Sequence, residues 1–253
     1  MNISTVQFKR FSDLVYHECG INLHAGKKQL LQTRLSKCLR RTGISSINEY
    51  LKTIESDAEE LLHFLDAIST NHTYFFRESQ HLEQLHEGQN HIWCAASSSG
   101  EEPYSVAISC LEKGFRPTIL ATDISTHVLH LGQMGIYPIE RAKHVPPHIL
   151  RKYFQKGQGK YENYIRVKDA VKQMVMFQRY NLLNGSPPRQ EFDVIFCRNV
   201  LIYFDNDIKA KVIGSLYKVL KLEGLFIIGG AESLNNIPHR LKYIRPSIYR
   251  KIS

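Results

Sequence analysis

The chain contains 253 residues with a formal net charge of +9, and 43% of its residues are hydrophobic. This apolar content supports a true hydrophobic core, in one large domain or two modest ones. No apolar run approaches the roughly 20 residues that span a bilayer, the first residues lack a signal-peptide pattern, and five scattered cysteines lack C-x-x-C spacing. We expect a cytoplasmic protein with reduced thiols, without direct membrane insertion and without a metal site.

Residues 1–75 are predicted to form a small helical domain. Helical periodicity is present at 6–18, 26–41, 47–54 and 58–69. The second of these segments combines an apolar stripe with a basic face. Such a face is usually only solvated, but it would also attract an acidic partner. Its cations are Lys27, Arg34, Lys37 and Arg41.

The stretch 91–123 predicts a strand, a tight turn, a helix and a second strand that ends in Asp123. An acidic residue at that tip is well placed to accept hydrogen bonds from ribose hydroxyls. The turn keeps only Gly100 of a dinucleotide fingerprint and carries Glu101 and Glu102. These carboxylates would repel a pyrophosphate but suit the cationic cofactor S-adenosylmethionine (AdoMet). The plainer alternative is that both acids complement the helix dipole.

Apolar strands alternate with helical stretches through the rest of the chain, which predicts a parallel sheet with helices on both faces. The polar segment 76–90 is predicted to be a linker, and 243–250 suggests closing antiparallel strands. The predicted strands are 92–96, 118–122, 193–197 and 225–229, and the predicted helices are 103–113, 125–132 and 207–220.

Residues 137–177 interrupt this alternation with prolines, glycines and a Tyr-Ile-Arg-Val strand pattern. Within 140–179, ten Lys and Arg accompany three acids. A basic edge strand at 161–168 would suit an acidic peptide added as a further strand. Lysines on an edge strand also simply prevent aggregation.

Five short motifs occur in one order along the chain, and together they resemble the chemotaxis receptor methyltransferases (CheR-type protein-glutamate O-methyltransferases). The resemblance runs from about residue 5 to the C-terminus. The family usually has Thr where Ser99 stands, and the hydroxyl is retained. The motifs are Asn-x-Thr-x-Phe-Phe-Arg-Glu, Ser-Gly-Glu-Glu-Pro-Tyr-Ser, Ala-Thr-Asp-Ile, Asn-Leu-Leu and Phe-Cys-Arg-Asn-Val-x-Ile-Tyr-Phe.

The resemblance implies an α/β fold, the Rossmann-like doubly wound sheet of AdoMet-dependent methyltransferases. A small antiparallel β-subdomain would be inserted at about 137–177 of the methyltransferase domain, 91–253. A small all-α receptor-recognition domain, 1–75, would precede it. The implied activity is methylation of glutamate side chains in the cytoplasmic helical bundle of methyl-accepting chemotaxis receptors, with S-adenosylhomocysteine (AdoHcy) as the second product. A receptor C-terminal tail peptide would bind the β-subdomain.

The resemblance also implies roles for individual residues. One of the two turn carboxylates would meet the cofactor's ammonium group, and Arg77 would pair with the incoming carboxylate or with the cofactor's own. Plainer alternatives are a structural ion pair for Arg198, a core aromatic for Tyr203 and simple core packing for Leu182. The implied catalytic residues are Arg77, Arg198 and Tyr203; the implied cofactor-binding residues are Asn71, Thr73, Arg77, Glu101, Glu102, Asp123, Asn181, Leu182, Arg198 and Asn199.

Rival functions are less well supported by the sequence. Enzymes that methylate base nitrogens carry Asp, Asn or Ser before Pro-Pro-Tyr/Phe at a strand end, whereas here Ser186-Pro187-Pro188 precedes a strand and is followed by Arg189. We therefore expect no nucleic-acid substrate. The acidic turn would repel a pyrophosphate, which argues against a nucleotide-dependent oxidoreductase. A non-catalytic sensor or scaffold that binds AdoMet or receptors stays open as an alternative.

Overall fold

The computed structural model describes residues 2–69 and 71–253. Its N-terminal part is helical, and the helices begin at local start signals. The hydroxyls of Ser4 and Ser46 and the carboxylate of Asp57 accept backbone N–H groups of the first turns of α1, α3 and α4. The basic segment opens with a 3₁₀ turn, Ala25–Lys27, before its α-helix. The helices are α1 (Thr5–Cys19), α2 (Lys28–Thr42), α3 (Ile47–Ser56) and α4 (Ala58–Ile68).

The C-terminal part alternates strands and helices, as the pattern predicts. Its first half contains β1 (His91–Ala95), α5 (Glu101–Glu112), β2 (Thr118–Asp123), α6 (Thr126–Met134), β3 (Ile136–Pro138), α7 (Pro147–Tyr153), β4 (Phe154–Lys156) and β5 (Tyr164–Val167). Its second half contains α8 (Asp169–Lys172), β6 (Val175–Arg179), β7 (Phe192–Cys197), α9 (Asn206–Lys218), β8 (Leu220–Ile227), β9 (Leu241–Arg245) and β10 (Ile248–Lys251).

Within the described residues, the main sheet has seven strands in the order β6-β2-β1-β7-β8-β10-β9. The pairs from β6 to β8 are parallel, and the pairs β8–β10 and β10–β9 are antiparallel. Along β1, Ile92 and Cys94 belong to one core cluster while Trp93 and Ala95 belong to another. The first cluster includes residues of α5 and the second includes residues of α9. Both faces are therefore covered, as in a doubly wound sheet.

A separate small sheet, made of β3, β4 and β5 in the order β3-β5-β4, packs on the α5 side of the main sheet. Both of its pairs are antiparallel. The prediction that 161–168 supplies an edge strand is wrong, because β5 lies in the centre with a partner on each side. The insertion predicted at 137–177 also extends too far, since β6 pairs with β2 in the main sheet.

The segment predicted as a linker, 76–90, packs against the α/β core. It contains a 3₁₀ turn, Ser79–Gln84, and Leu82 and Leu85 are buried. The Lys113 ammonium group donates to the carbonyls of Leu82, Glu83 and Leu85 at 3.0, 3.0 and 2.7 Å. These contacts fix where the chain enters β1. In the described part of the chain, no helix is long and apolar enough to cross a membrane.

Candidate cofactor and active site

A cavity lies at the cofactor edge, by which we mean the carboxyl ends of β1, β2 and β7. It holds about 1320 Å³ of empty space, counting the part that is open to solvent. Parallel sheets of this type bind ligands at this edge, because polar groups follow the strand ends there. Glu101 is the one predicted site residue that does not line the cavity. Those that do are Asn71, Thr73, Arg77, Glu102, Asp123, Asn181, Leu182, Arg198, Asn199 and Tyr203.

Asp123 ends β2 with its carboxylate turned toward the loop after β1. Its Oδ2 accepts the Ser98 N–H at 2.9 Å, and its Oδ1 accepts the Ser125 N–H at 3.0 Å. Asp123 is only 6% exposed, and burial raises the pKa of its carboxyl group, although the two amides offset part of the shift. Each carboxylate oxygen keeps a further lone pair, so Asp123 can also accept hydrogen bonds from a ribose.

Glu102 and Arg198 form a buried ion pair in the cavity wall. The Arg198 Nη1 donates to the Glu102 Oε2 at 2.8 Å, and its Nη2 donates to the Arg77 carbonyl at 2.6 Å. Burial raises the pKa of Glu102, and Arg198 offsets part of that effect. The ion pair fixes the direction of both side chains, so Glu102 presents a held carboxylate to the cavity.

Glu78, which sequence reasoning left without a role, connects this ion pair to the rest of the site. Its Oε2 accepts the Gly230 N–H at 2.9 Å and an N–H of Arg198 at 3.2 Å, and its Oε1 accepts from the Asn199 amide at 3.3 Å. Burial acts to raise the pKa of Glu78, but the Gly230 amide and Arg198 outweigh it and hold that pKa below its ordinary value. One indication of this role was present in the sequence, because Glu78 belongs to the same motif as Asn71 and Arg77.

Asn199 shapes the turn after β7. It has a left-handed φ of 58°, which asparagine tolerates better than most residues. Its N–H donates to the Glu232 Oε2 at 2.8 Å, and the Gly229 N–H donates to the same oxygen at 2.7 Å. Glu232 was also missed from the sequence, because the contact joins two loops 33 positions apart.

Glu101 lies behind the turn rather than in the cavity. Its side chain is 0% exposed, its Oε2 accepts the Ser99 hydroxyl at 2.7 Å, and Arg141 lies 3.4 Å from its Oε1. Burial raises the pKa of Glu101, while Ser99 and Arg141 offset part of the shift. The sequence left Glu101 and Glu102 as alternatives for contact with the cofactor. Of the two, Glu102 is the residue that faces the cavity.

Arg77 lies in the cavity wall with its side chain 27% exposed. Its Nη1 donates to the His72 carbonyl at 3.0 Å, its Nε lies 3.9 Å from the Glu78 Oε1, and its guanidinium lies 5.9 Å from the centre of the Tyr74 ring. A guanidinium has five N–H donors. Arg77 therefore retains donors for a carboxylate in the cavity.

Asn181 and Leu182, both implied by the resemblance to bind the cofactor, line the cavity, and the Asn181 amide also has protein partners. Its Nδ2 donates to the Glu18 carbonyl at 2.7 Å, and its Oδ1 accepts the Leu183 N–H at 2.9 Å. The amide thus joins the turn after β6 to the end of α1. The amide keeps a second N–H and a second lone pair, so Asn181 can still contact a ligand beside the apolar Leu182 side chain.

Tyr203 and the loop after α1 close the cavity from the N-terminal side. The Asn22 N–H donates to the Tyr203 carbonyl at 2.9 Å. Ile21, Lys27 and Leu30 also line the cavity. Sequence reasoning assigned Lys27 only to the basic face, because nothing local shows that the N-terminal helices reach the cofactor edge.

The residues present fit AdoMet. Two held carboxylates, Glu102 and Asp123, suit a ligand with a positive charge and ribose hydroxyls, and Leu182 with Ile124 supplies apolar surface for a base. Within residues 2–69 and 71–253, no group of three or more His, Cys, Asp or Glu side chains is placed to hold a metal ion.

Comparison with known proteins agrees with this geometry. The family description "CheR methyltransferase, SAM binding domain" matches residues 71–249, and "CheR methyltransferase, all-alpha domain" matches residues 7–69. The chain is 36% identical to a chemotaxis protein methyltransferase of Borreliella burgdorferi, over 99% of this chain and 96% of that protein. It is 34% identical to a chemotaxis protein methyltransferase of Escherichia coli, over 98% and 91% of the two chains.

Among solved structures, the glycopeptide N-methyltransferase MtfA complexed with (S)-adenosyl-L-methionine is similar over 72% of this chain and 68% of its own. The identity is 13% and the TM-score is 0.41. The fold and the matched SAM-binding domain define an AdoMet-dependent methyltransferase. Because both family descriptions match in order and cover nearly the whole chain, the protein belongs to the CheR methyltransferase family.

Proposed function

We propose that this methyltransferase acts in the cytoplasm on glutamate side chains in the helical bundle of chemotaxis receptors, forming methyl esters and AdoHcy. The names of relatives that are 34–36% identical over nearly the full chain support the chemotaxis setting. The observation that carries the glutamate assignment is Arg77, which lines the cavity and keeps donors for an incoming carboxylate.

The chain's own residues would bind, orient and exclude water. AdoMet, when bound, supplies an electrophilic methyl group on its sulfonium. Asp123 would hold its ribose, Glu102 its ammonium group, and Leu182 its adenine. Arg77 would hold the substrate carboxylate, with Tyr203 bounding the substrate side.

Little acid–base chemistry is needed for this reaction. A glutamate side chain is already ionised near pH 7, so no residue has to remove a proton from it. Orientation of two reactants can lower a barrier by roughly 7 kcal/mol or more. Arg198 would then act through Glu102 and Glu78, by holding them, rather than by moving a proton.

The basic helix would attract the acidic receptor bundle, although its four cations differ. Arg41 is ion-paired with Glu60, and Lys27 lines the cavity. Lys37 is exposed and free to act at long range. We expect Lys37→Glu to slow association severalfold at low salt and much less at high salt. Lys52→Glu, on exposed surface of α3, is the matched control, and equal slowing by both variants would contradict the proposal.

The small sheet would bind a receptor tail peptide at an edge other than 161–168. The free edges belong to β3 and β4, and Pro138 in β3 lacks an N–H donor. In β4, the ladder hydrogen bonds at Tyr153 and Gly157 face β5, so the N–H and carbonyl of Lys156 face away from it. We therefore place the peptide on β4.

Backbone and charge contributions at β4 are separable. Lys156→Pro removes the outward N–H and should abolish binding of a receptor tail peptide, measured by calorimetry. Lys156→Ala keeps that N–H and should weaken binding only severalfold. Equal effects from both variants would contradict strand addition at this edge.

The function itself is tested by methyl transfer from labelled AdoMet to a chemoreceptor cytoplasmic fragment, scored as base-labile methyl ester. We expect transfer by the wild type, a loss of at least about a hundredfold with Arg77→Ala, and no change with Arg116→Ala at an exposed loop. AdoHcy binding is measured in parallel. Base-stable label, or no label while AdoHcy still binds, would contradict the glutamate assignment.

A further inference from the structure

One arginine of the inserted segment reaches the back of the cofactor turn. Arg141 lies in the 3₁₀ turn Ile139–Ala142, which directly follows β3 of the small sheet. Its Nη1 donates to the Thr73 carbonyl at 2.5 Å and lies 3.4 Å from the Glu101 Oε1. It therefore touches two segments that line the cavity but does not line the cavity itself.

The two acceptors belong to the two motifs that form one wall of the site. Thr73 lines the cavity, while Glu101 directly precedes Glu102, which does. Glu101 in turn accepts the Ser99 hydroxyl at 2.7 Å. A movement of Arg141 would thus be passed to both motifs.

Further contacts hold the same segment in place. The Phe75 N–H donates to the Arg141 carbonyl at 3.3 Å, and the Tyr137 hydroxyl donates to the Ser99 carbonyl at 2.7 Å. The Phe75 ring packs edge-on against Tyr137 and Phe154, with ring centres 5.0 Å apart in both pairs. The small sheet is therefore joined to the cofactor turn by hydrogen bonds as well as by apolar packing.

Arg141 also supplies a positive charge beside a buried carboxylate. The Glu101 side chain is fully buried, and a buried carboxylate that loses its cation is strongly disfavoured. Arg141 is the cation in ion-pair contact with Glu101 among the described residues. Without it, the turn must either protonate Glu101 or move to expose it.

We propose that Arg141 is a positioning residue of the cofactor site: it neutralises Glu101 behind the turn and holds the Thr73 carbonyl, and so keeps both motifs in the geometry that binds AdoMet. The inserted segment then contributes to cofactor affinity in addition to any partner it binds. This inference concerns cofactor binding and holds whichever protein is methylated.

The test is the dissociation constant of AdoHcy for the full chain, measured by calorimetry, with a melting temperature for each variant. Arg141→Met should raise that constant by about tenfold, and Arg141→Lys, which keeps the charge, should recover part of the loss. Arg151→Met, on exposed surface of α7 in the same insertion, is the matched control and should bind as the wild type. In steady-state assays, Arg141→Met should raise KM for AdoMet while kcat at saturation stays within about threefold.

A double variant separates positioning from misfolding. Glu101→Gln removes the buried charge, so adding Arg141→Met to it should cost clearly less affinity than Arg141→Met costs alone. Equal AdoHcy affinity of Arg141→Met and Arg151→Met would overturn the proposal. So would a loss in kcat with unchanged KM, or full additivity of the two changes in the double variant.

Discussion

The cofactor edge and the small sheet both contain arginine–carboxylate pairs, but in opposite surroundings. At the cofactor edge, the Arg198 side chain is 2% exposed and contacts Glu102 and Glu78. In the small sheet, the Arg166 side chain is 47% exposed and contacts Asp169 three positions along the chain. Arginine–carboxylate pairs therefore hold a buried site together in one region and lie on a solvated surface in the other.

This difference in burial distinguishes the ion pairs that hold the cavity together from those on the surrounding surface. A desolvated pair is costly to break, because the remaining charge stays buried, whereas water readily replaces an exposed partner. Stability and cofactor affinity should therefore respond strongly to changes at the cofactor edge. They should respond weakly at the small sheet, except at Arg141 and Tyr137, which reach the cofactor turn.

The largest effect is expected at Arg198. Arg198→Met leaves Glu78 and Glu102 without their shared cation, so we expect a loss of about 3 kcal/mol in the free energy of unfolding. Chemical denaturation measures this loss. Arg198→Lys keeps the positive charge, so it should lose less of the free energy of unfolding than Arg198→Met. A loss below about 1 kcal/mol would mean that the network is solvated and that the contrast between the regions fails.

The next effect is on cofactor binding and its pH dependence. Asp123→Asn should weaken AdoHcy binding by about tenfold, because a charged acceptor is replaced by a neutral one. Burial raises the pKa of Asp123, so the folded chain keeps a proton that the unfolded chain has already released. As pH rises from the ordinary aspartate pKa through the raised one, the wild type should lose stability relative to the variant.

Over the same pH window the wild type should gain AdoHcy affinity relative to Asp123→Asn, because its carboxylate becomes ionised. Denaturation and AdoHcy titration across acidic to neutral pH check the two opposite trends. Parallel curves for the two proteins would show that Asp123 does not titrate in contact with the ligand.

A smaller effect distinguishes two buried tyrosines. Tyr137→Phe leaves the Ser99 carbonyl without its donor, and Tyr104→Phe does the same to the Gly132 carbonyl. Each should cost about 1 kcal/mol of unfolding free energy. Only Tyr137→Phe should also weaken AdoHcy binding, since Ser99 belongs to the cofactor turn and Gly132 lies in α6. Equal affinities would contradict the link between the small sheet and the turn.

The smallest effect is expected at Arg166. Its exposed pair with Asp169 should contribute less than about 0.5 kcal/mol to stability. The free energy of unfolding of Arg166→Met should therefore lie within that amount of the wild-type value. A loss comparable to that of Arg198→Met would remove the distinction between the two regions.

Local sequence patterns predicted much of the main sheet, and together with the family resemblance they predicted ten of the residues that line the cavity. Apolar runs identified β1, β2 and β7, and Asp123 and Arg198 followed directly from the rule that ligands bind at strand ends. The boundary before β8 was less clear. The predicted helix continued to residue 220, because Val219 and Leu220 extend its apolar pattern, but Leu220 begins the strand.

Pairing over long distances was not predictable in the same way. β3 and β4 have three residues each, too few to show a period, so the Tyr-Ile-Arg-Val strand was mistaken for an edge. Glu101 and Glu102 are neighbours with the same chemistry, and only packing shows which one faces the cavity. Arg141 gave no local signal, because its partners are 40 and 68 positions away.

The most direct test of the account is to map the methylated atom on a chemoreceptor fragment by mass spectrometry after incubation with AdoMet and this protein. The account predicts methyl groups on glutamate carboxylates in the helical bundle, removed by mild base and absent with Arg77→Ala. Methyl groups on nitrogen that survive base, or modification that is unaffected by Arg77→Ala, would contradict it.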